Sequence, residues 1–190
     1  VILRKLTVIN SVSDDLEAAR MVQELFANDY FRVYTNTDVV GAELAAALKN
    51  IMAIASGVLS GIGEGDNARA ALITRGLHEM LRFGLYFKAN SETFYGLNGV
   101  GDLVVTASSI HSRNFKAGEM IGKDGSAQRF MKENKTTTEG VGACKVVYEI
   151  AKENGIEMPI TNEIYNVLFL NKDPKAAIVD LMSRPLKHEY

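Results

Sequence analysis

The sequence predicts a mainly α-helical protein that begins with a short strand–helix–strand segment. From residue 38 onward, apolar residues recur at helical spacing, and cap-forming residues separate seven or eight helices. Residues 1–37 differ, because two short runs rich in β-branched and aromatic residues flank one helical stretch. Two strands and one helix bury too little surface to fold alone. We therefore expect residues 1–37 to be the remnant of a larger α/β sheet and residues 38–190 to form an all-helical domain.

Length and composition restrict the class of protein further. A chain of 190 residues fits one domain with an appendage, since domains average about 150 residues. Its formal net charge of -2 argues against a nucleic-acid or anionic-membrane partner. A single cysteine excludes an internal disulfide framework, and without Cys/His ligand spacing we expect no metal site. The single cysteine also favours a reducing, cytoplasmic setting. With no leader-like start and no apolar run of about 18 residues, we expect no membrane insertion.

The first segment has the pattern of strand, helix and strand. The strand-like runs are at 6–9 and 31–34, and both combine β-branched or aromatic side chains. Between them, Asp14 and Asp15 precede an amphipathic stretch that begins at Leu16, as cap residues precede a helix.

Cap residues divide the remaining chain into helices. Asp38 precedes a helix that runs to about Leu59, and Asp66 precedes one that runs to about Phe87. The later predicted helices start closer together in the sequence than these two. These further predicted starts lie at Asp102, Ser112, Ser126, Glu139, Thr161 and the pair Asp173-Pro174.

The most informative stretch is 44–55, which is apolar on all sides except for Lys49 and Asn50. A helix that is apolar all round is a buried one. Burial disfavours the charged form of a lysine and lowers its pKa, which makes a lysine usable as a proton acceptor near neutral pH. The alternative is that Lys49 pairs with a carboxylate or extends its amine to solvent.

Two other segments could bind a ligand. The glycines of 57–65 lack G-x-G-x-x-G spacing and follow a helix, so they indicate either a flexible turn or a loop that lets backbone approach a ligand. Ser112 at a helix start, followed by Arg113 and Asn114, would surround an anion such as phosphate with N–H groups, a hydroxyl and a guanidinium. An ordinary Ser cap is the alternative there, and Asp102 is most simply a cap as well.

These features, taken in order, resemble the C-terminal, substrate-binding domain of the bacterial type of NAD(P)-dependent glycerol-3-phosphate dehydrogenases. The resemblance covers about residue 30 to the end, and the residues before it resemble the last strands and helix of the family's Rossmann domain. The matching motifs are 41–50 (GAELAAALKN), 65–76 (GDNARAALITRG), 101–106 (GDLVVT), 112–114 (SRN), 139–140 (EG) and 158–160 (MPI).

The resemblance implies a helical fold shared with the C-terminal domains of 6-phosphogluconate dehydrogenases. It also implies oxidation of sn-glycerol 3-phosphate to dihydroxyacetone phosphate, and the reverse reaction that feeds glycerophospholipid synthesis. Lys49 matches the family's proton acceptor. The substrate residues implied are Asn50, Asp102, Thr106, Ser112, Arg113 and Asn114, and the cofactor contacts implied are Arg113, Thr137 and Glu139.

The resemblance implies NAD or NADP as cofactor, bound mainly by a domain that carries the G-x-G-x-x-G fingerprint. That fingerprint is absent from these residues, so we expect that the chain alone does not catalyse the reaction. Two departures from the family pattern are the run Thr136-Thr137-Thr138, where Val is more usual, and Gly142 in the region that often carries Arg. The sequence leaves open whether the protein is a homodimer.

Two alternatives remain open. The first is a related 3-hydroxyacid or sugar-nucleotide dehydrogenase, against which the adjacent Lys49 and Asn50 and the 112–114 motif argue. The second is a non-catalytic helical interaction module descended from such an enzyme. Substitution of Lys49 would separate catalysis from a purely structural role.

Overall fold

A computed structural model of the chain describes residues 3–133, 138–186 and 188. The first part is a strand–helix–strand unit, as predicted, and its two strands pair in parallel. Asp15 caps the helix by accepting a hydrogen bond from the Glu17 backbone N–H. The elements are β1 (Thr7–Val12), α1 (Leu16–Phe26) and β2 (Phe31–Asn36).

This unit buries little of its own apolar surface. Leu6 and Leu25 are 86% and 71% exposed, and Phe26 is also exposed. Two strands and one helix cannot cover both faces of a sheet, which is why these side chains have no core of their own here.

The described residues from 38 onward are helical and contain no strand, which confirms the predicted fold class. They form nine α-helices and one π-helical turn, rather than seven or eight helices, because the short α4 and the π-helical turn carry no strong periodicity. The elements are α2 (Val39–Ile62), α3 (Asp66–Tyr86), α4 (Ser91–Tyr95), the π-helical turn (Leu97–Gly101), α5 (Asp102–Ser108), α6 (Arg113–Asp124), α7 (Gln128–Glu133), α8 (Glu139–Glu153), α9 (Pro159–Phe169) and α10 (Pro174–Met182).

Helix α2 is the central element of the helical part. It packs most extensively against α6 and also contacts α3, α5 and α8. By length and hydropathy α2 could cross a membrane, but 67% of its most apolar 18-residue window is buried inside the protein. Such burial is typical of the core helix of a globular domain.

Glycines set the close contact between α2 and α6. A Cβ placed on Gly57 would collide with the carbonyl oxygen of Phe115, and one on Gly118 would collide with that of Ile54. Gly57 and Gly61 therefore lie inside α2, where they allow two helix backbones to approach. The interpretation of 57–65 as a flexible turn or ligand loop is wrong for these two glycines, and the chain turns only at Gly63, which has a φ of 96°.

The predicted caps have mixed outcomes. Asp38, Ser112 and Asp173 cap their helices with side-chain hydrogen bonds, as predicted. Asp66 is instead the first residue of α3, after Gly65. Thr161 lies inside α9, which begins at Pro159 because proline suits the first helical position.

Candidate active site

Lys49 and Asp102 form an ion pair between α2 and α5. Lys49 projects from the buried helix α2, and its side chain is 19% exposed. Asp102 is the first residue of α5, so its side chain is free to turn toward Lys49 instead of capping the helix, and the simple cap interpretation is wrong. Thr106 Oγ1, one turn further along α5, donates to Asp102 Oδ1 at 3.2 Å. A lysine, a carboxylate and a hydroxyl are thereby joined in one chain of contacts.

Asn50, the residue after Lys49, forms a buried amide pair with Asn114. Asn114 Nδ2 donates to Asn50 Oδ1 at 2.8 Å, and Asn114 Oδ1 accepts from the Gly140 backbone N–H at 2.9 Å. Asn50 Nδ2 donates to the Ala46 carbonyl at 3.1 Å. Both side chains are buried, and every polar atom must find a partner there. The pair fixes α2, α6 and α8 relative to one another.

Gly140 explains how α8 reaches this position. A Cβ on Gly140 would lie 2.6 Å from the Asn50 carbonyl oxygen and 2.8 Å from Asn114 Oδ1. Only a residue without a side chain lets the α8 backbone come this close to α2. Glu139, the residue before it, is thereby placed at the edge of the cluster.

Arg113 and Glu139 form a second, looser ion pair at that edge. Arg113 Nη2 lies 3.5 Å from Glu139 Oε1, and Glu139 Oε2 accepts from Asn50 Nδ2 at 3.2 Å. Ser112 caps α6 by accepting from the Phe115 N–H at 3.3 Å, the role that the ordinary-cap alternative gave it. A cavity of about 340 Å³ opens beside Arg113, and its walls include Lys116 and Phe130.

The structure therefore brings together residues that lie far apart in the sequence. Lys49, Asp102 and Thr106 are linked by direct contacts, and so are Asn50, Arg113, Asn114 and Glu139. Ser112 starts the helix that carries two of these residues. Thr137 lies outside the described residues.

Sequence reasoning missed one buried ionisable residue, Glu79 of α3. Its carboxylate accepts from the backbone N–H groups of Ile160 and Thr161 and from the Thr161 hydroxyl. It stands apart from the site contacts described above and holds the first turn of α9. The sequence feature that could have indicated its burial is its position on the same helical face as Met80 and Phe83, which are both buried.

Comparison with solved structures gives the class of protein. The structure of glycerol-3-phosphate dehydrogenase from Coxiella burnetii is similar to this chain with a TM-score of 0.89 and 36% identity, over 96% of this chain and 56% of that one. The similarity extends over both the strand–helix–strand unit and the helical part.

Sequence comparison gives the family. Residues 38–179 match the model described as NAD-dependent glycerol-3-phosphate dehydrogenase C-terminus, and the chain belongs to this family. It is 51% identical to the glycerol-3-phosphate dehydrogenase [NAD(P)+] of Geobacillus kaustophilus over all of its own length and 55% of that protein. The corresponding protein of an Exiguobacterium strain is also 51% identical, with the same coverage. The chain thus spans about half the length of these relatives.

Proposed function

We propose that this chain is the part of an NAD(P)-dependent glycerol-3-phosphate dehydrogenase that binds the substrate and moves its proton. The whole protein would oxidise sn-glycerol 3-phosphate to dihydroxyacetone phosphate and catalyse the reverse reaction. The observation that carries the proposal is the Lys49–Asp102 pair on the core helix, with Arg113 on the neighbouring helix α6. Membership of the family supports the choice of substrate.

Lys49 is the proton-transferring residue in this proposal. In oxidation, its neutral amine accepts the proton of the C2 hydroxyl; in reduction, the ammonium returns a proton to the carbonyl oxygen. Asp102 accepts a hydrogen bond from the amine and so fixes its direction. Thr106, which donates to the other oxygen of Asp102, holds that carboxylate in turn.

The substrate phosphate is assigned to the start of α6. Ser112, Arg113 and Asn114 occupy the cap and the first two helical positions, where backbone N–H groups and the helix dipole favour an anion. The Arg113 guanidinium is 60% exposed and can reach a ligand. Asn50 is proposed to orient the reacting oxygen together with Thr106.

The cofactor is proposed to be NAD or NADP, which when bound supplies the hydride acceptor or donor at C2. The carboxyl end of a parallel strand is where such folds place a dinucleotide. Asn10, near that end of β1, donates to Asn98 in the π-helical turn that leads directly into Asp102. The carboxyl end of β1 therefore lies next to the segment that carries Asp102, and this fits a cofactor bound between the strands and the helical part. Arg113, Thr137 and Glu139 are the proposed cofactor contacts of this chain.

The domain boundary, cellular location and partners follow from the same proposal. Residues 1–37 would complete a nucleotide-binding domain, and residues 38–190 would form the substrate domain. The protein would act in the cytoplasm, supply glycerol 3-phosphate for glycerophospholipid synthesis, and bind neither nucleic acid nor the membrane interior. A homodimer is compatible with this proposal but is not required by it.

The test is turnover by the purified whole protein that contains this chain. With NADH or NADPH and dihydroxyacetone phosphate, we expect oxidation of the cofactor, and we expect the isolated 190-residue chain to be inactive. A whole protein that binds cofactor but does not reduce dihydroxyacetone phosphate would contradict the assigned reaction. Comparable turnover by the 190-residue chain would contradict the need for a separate nucleotide-binding domain.

A further inference from the structure

One carboxylate, that of Glu139, contacts two of the hydrogen-bond donors that the proposed substrate requires. Its Oε2 accepts from Asn50 Nδ2 at 3.2 Å, and its Oε1 lies 3.5 Å from Arg113 Nη2. Glu139 is therefore shared between the residue assigned to the reacting oxygen and the residue assigned to the phosphate.

The Asn50 amide has no spare donor in this arrangement. Its Nδ2 carries two hydrogens, and these go to the Ala46 carbonyl and to Glu139. Its Oδ1 accepts from Asn114, which fixes the direction of the amide. Asn50 can donate to a substrate oxygen only after Glu139 has released it, because Ala46 belongs to the same rigid helix.

The charges of the cluster lead to the same conclusion for Arg113. Lys49 is paired with Asp102 and Arg113 with Glu139, so each cation already has one carboxylate. A phosphate monoester carries a charge of about -1.5 to -2 at pH 7 and has to compete with Glu139 for the guanidinium. Both partners of that pair are about 60% exposed, so the pair is weak and exchangeable.

We propose that Glu139 is a placeholder anion that determines how strongly the site prefers a phosphorylated substrate. In the free protein it occupies Arg113 and Asn50, and the substrate displaces it from both. This role rests on the proposed function. It is separate from any contact of Glu139 with the cofactor, because it concerns only the affinity of the site for the substrate phosphate. Its charge lowers the affinity for the phosphate while keeping the two donors ordered.

The test uses the whole protein, saturated with cofactor, and two substrates: dihydroxyacetone phosphate and dihydroxyacetone. The ratio of their kcat/KM values isolates the phosphate, since effects on cofactor binding and on the fold are common to both. For Glu139→Gln, which removes the charge and keeps the shape, we expect the ratio to rise about two- to fivefold, mainly through a lower KM for the phosphate ester. Glu139→Asp moves the carboxylate away from Arg113 but keeps the negative charge at the start of α8. It should therefore raise the ratio less than Glu139→Gln does.

The matched control is Glu149→Gln on the same helix, whose side chain is exposed ten residues away. It should leave the ratio unchanged. A ratio that stays constant or falls in folded Glu139→Gln and Glu139→Asp variants would overturn the inference, because Glu139 would then be neutral or would support the binding of phosphate. Absence of all ketone reduction by the wild-type protein would instead defeat the proposed function on which the inference rests.

Discussion

Glu79 shows how one buried side chain can make the fold sensitive to pH. It is 2% exposed and accepts hydrogen bonds from Ile160 N at 2.5 Å and from Thr161 N and Oγ1, both at 3.1 Å. Burial raises the pKa of Glu79 to about 7, although these hydrogen bonds and the charge of Arg82 oppose the rise. The group therefore titrates near neutral pH while it holds the start of α9.

The raised pKa sets the sign of the pH dependence. Between about pH 4.5 and 7 the folded state keeps a proton on Glu79 that the unfolded state releases. The contribution of Glu79 to stability is thus fully present below pH 4.5 and is lost as pH rises through about 7. Urea unfolding of the wild type between pH 5 and 8 should show this decline.

We expect Glu79→Gln to remove that part of the pH dependence. It should also destabilise the helical part by about 1–3 kcal/mol at neutral pH, because the amide N–H₂ cannot accept from the Thr161 backbone. Glu64→Gln, an exposed site, is the control. A Glu79→Gln variant with wild-type stability and an unchanged pH profile would contradict this role.

At the scale of elements, the contact between α2 and α6 determines where the site residues lie. Gly57 and Gly61 of α2 face Gly118 and Gly122 of α6, and a Cβ on any of them would meet backbone of the other helix. Backbones this close leave no room for adjustment, so the distance between the two helices is fixed. Since α2 carries Lys49 and α6 carries the proposed phosphate residues, the glycines fix their separation as well.

Two glycine substitutions should therefore have opposite effects. Gly118→Ala places a methyl group against the Ile54 carbonyl and should destabilise the fold by about 1–3 kcal/mol. Gly142→Ala, in a helix position with nothing within 4 Å, should stabilise it by about 0.5–1 kcal/mol. Thermal unfolding of both variants checks this, and equal effects of the two would show that close contact is not the reason for Gly118.

At the scale of the whole molecule, Asp38 lies where the strand–helix–strand unit meets the helical part. Its carboxylate accepts from the Gly41 N–H, capping α2, and from the Asn90 N–H and the Thr93 hydroxyl at the start of α4. Burial raises the pKa of Asp38, but these three hydrogen bonds outweigh burial and hold it below its ordinary value. The last residue of β2, Asn36, donates to Thr93 as well.

Asp38→Ala should therefore remove the cap of α2 and its bonds to the start of α4, and cost about 1–2 kcal/mol of stability. Because the folded pKa is lowered, the contribution of Asp38 is present above its unfolded value of 3.8 and is lost as pH falls through the folded value. The stability difference between wild type and Asp38→Ala should shrink toward low pH, opposite to the trend for Glu79. Urea unfolding of both proteins at pH 3 and pH 6 measures it, and a difference independent of pH would contradict it.

The sequence indicated which candidate residues lie together better than it indicated the contacts that support them. Lys49 was recognisable because a polar residue interrupts an apolar helix, which is a local signal. Glu79 was missed because its burial depends on α9, some 80 residues away. Gly57 and Gly61 were misinterpreted because a glycine in the sequence does not by itself distinguish a turn from a close contact between helices. The signal available was the matching four-residue spacing of Gly118 and Gly122.

The central claim is that Lys49, held by Asp102, transfers the substrate proton. The most direct test is Lys49→Ala in the whole protein, with a check that the thermal midpoint remains close to that of the wild type. We expect dihydroxyacetone phosphate reduction to fall by about 10²–10⁴-fold, because the proton donor is lost while the phosphate contacts remain. A folded Lys49→Ala protein that keeps turnover within about threefold of the wild type would contradict the claim.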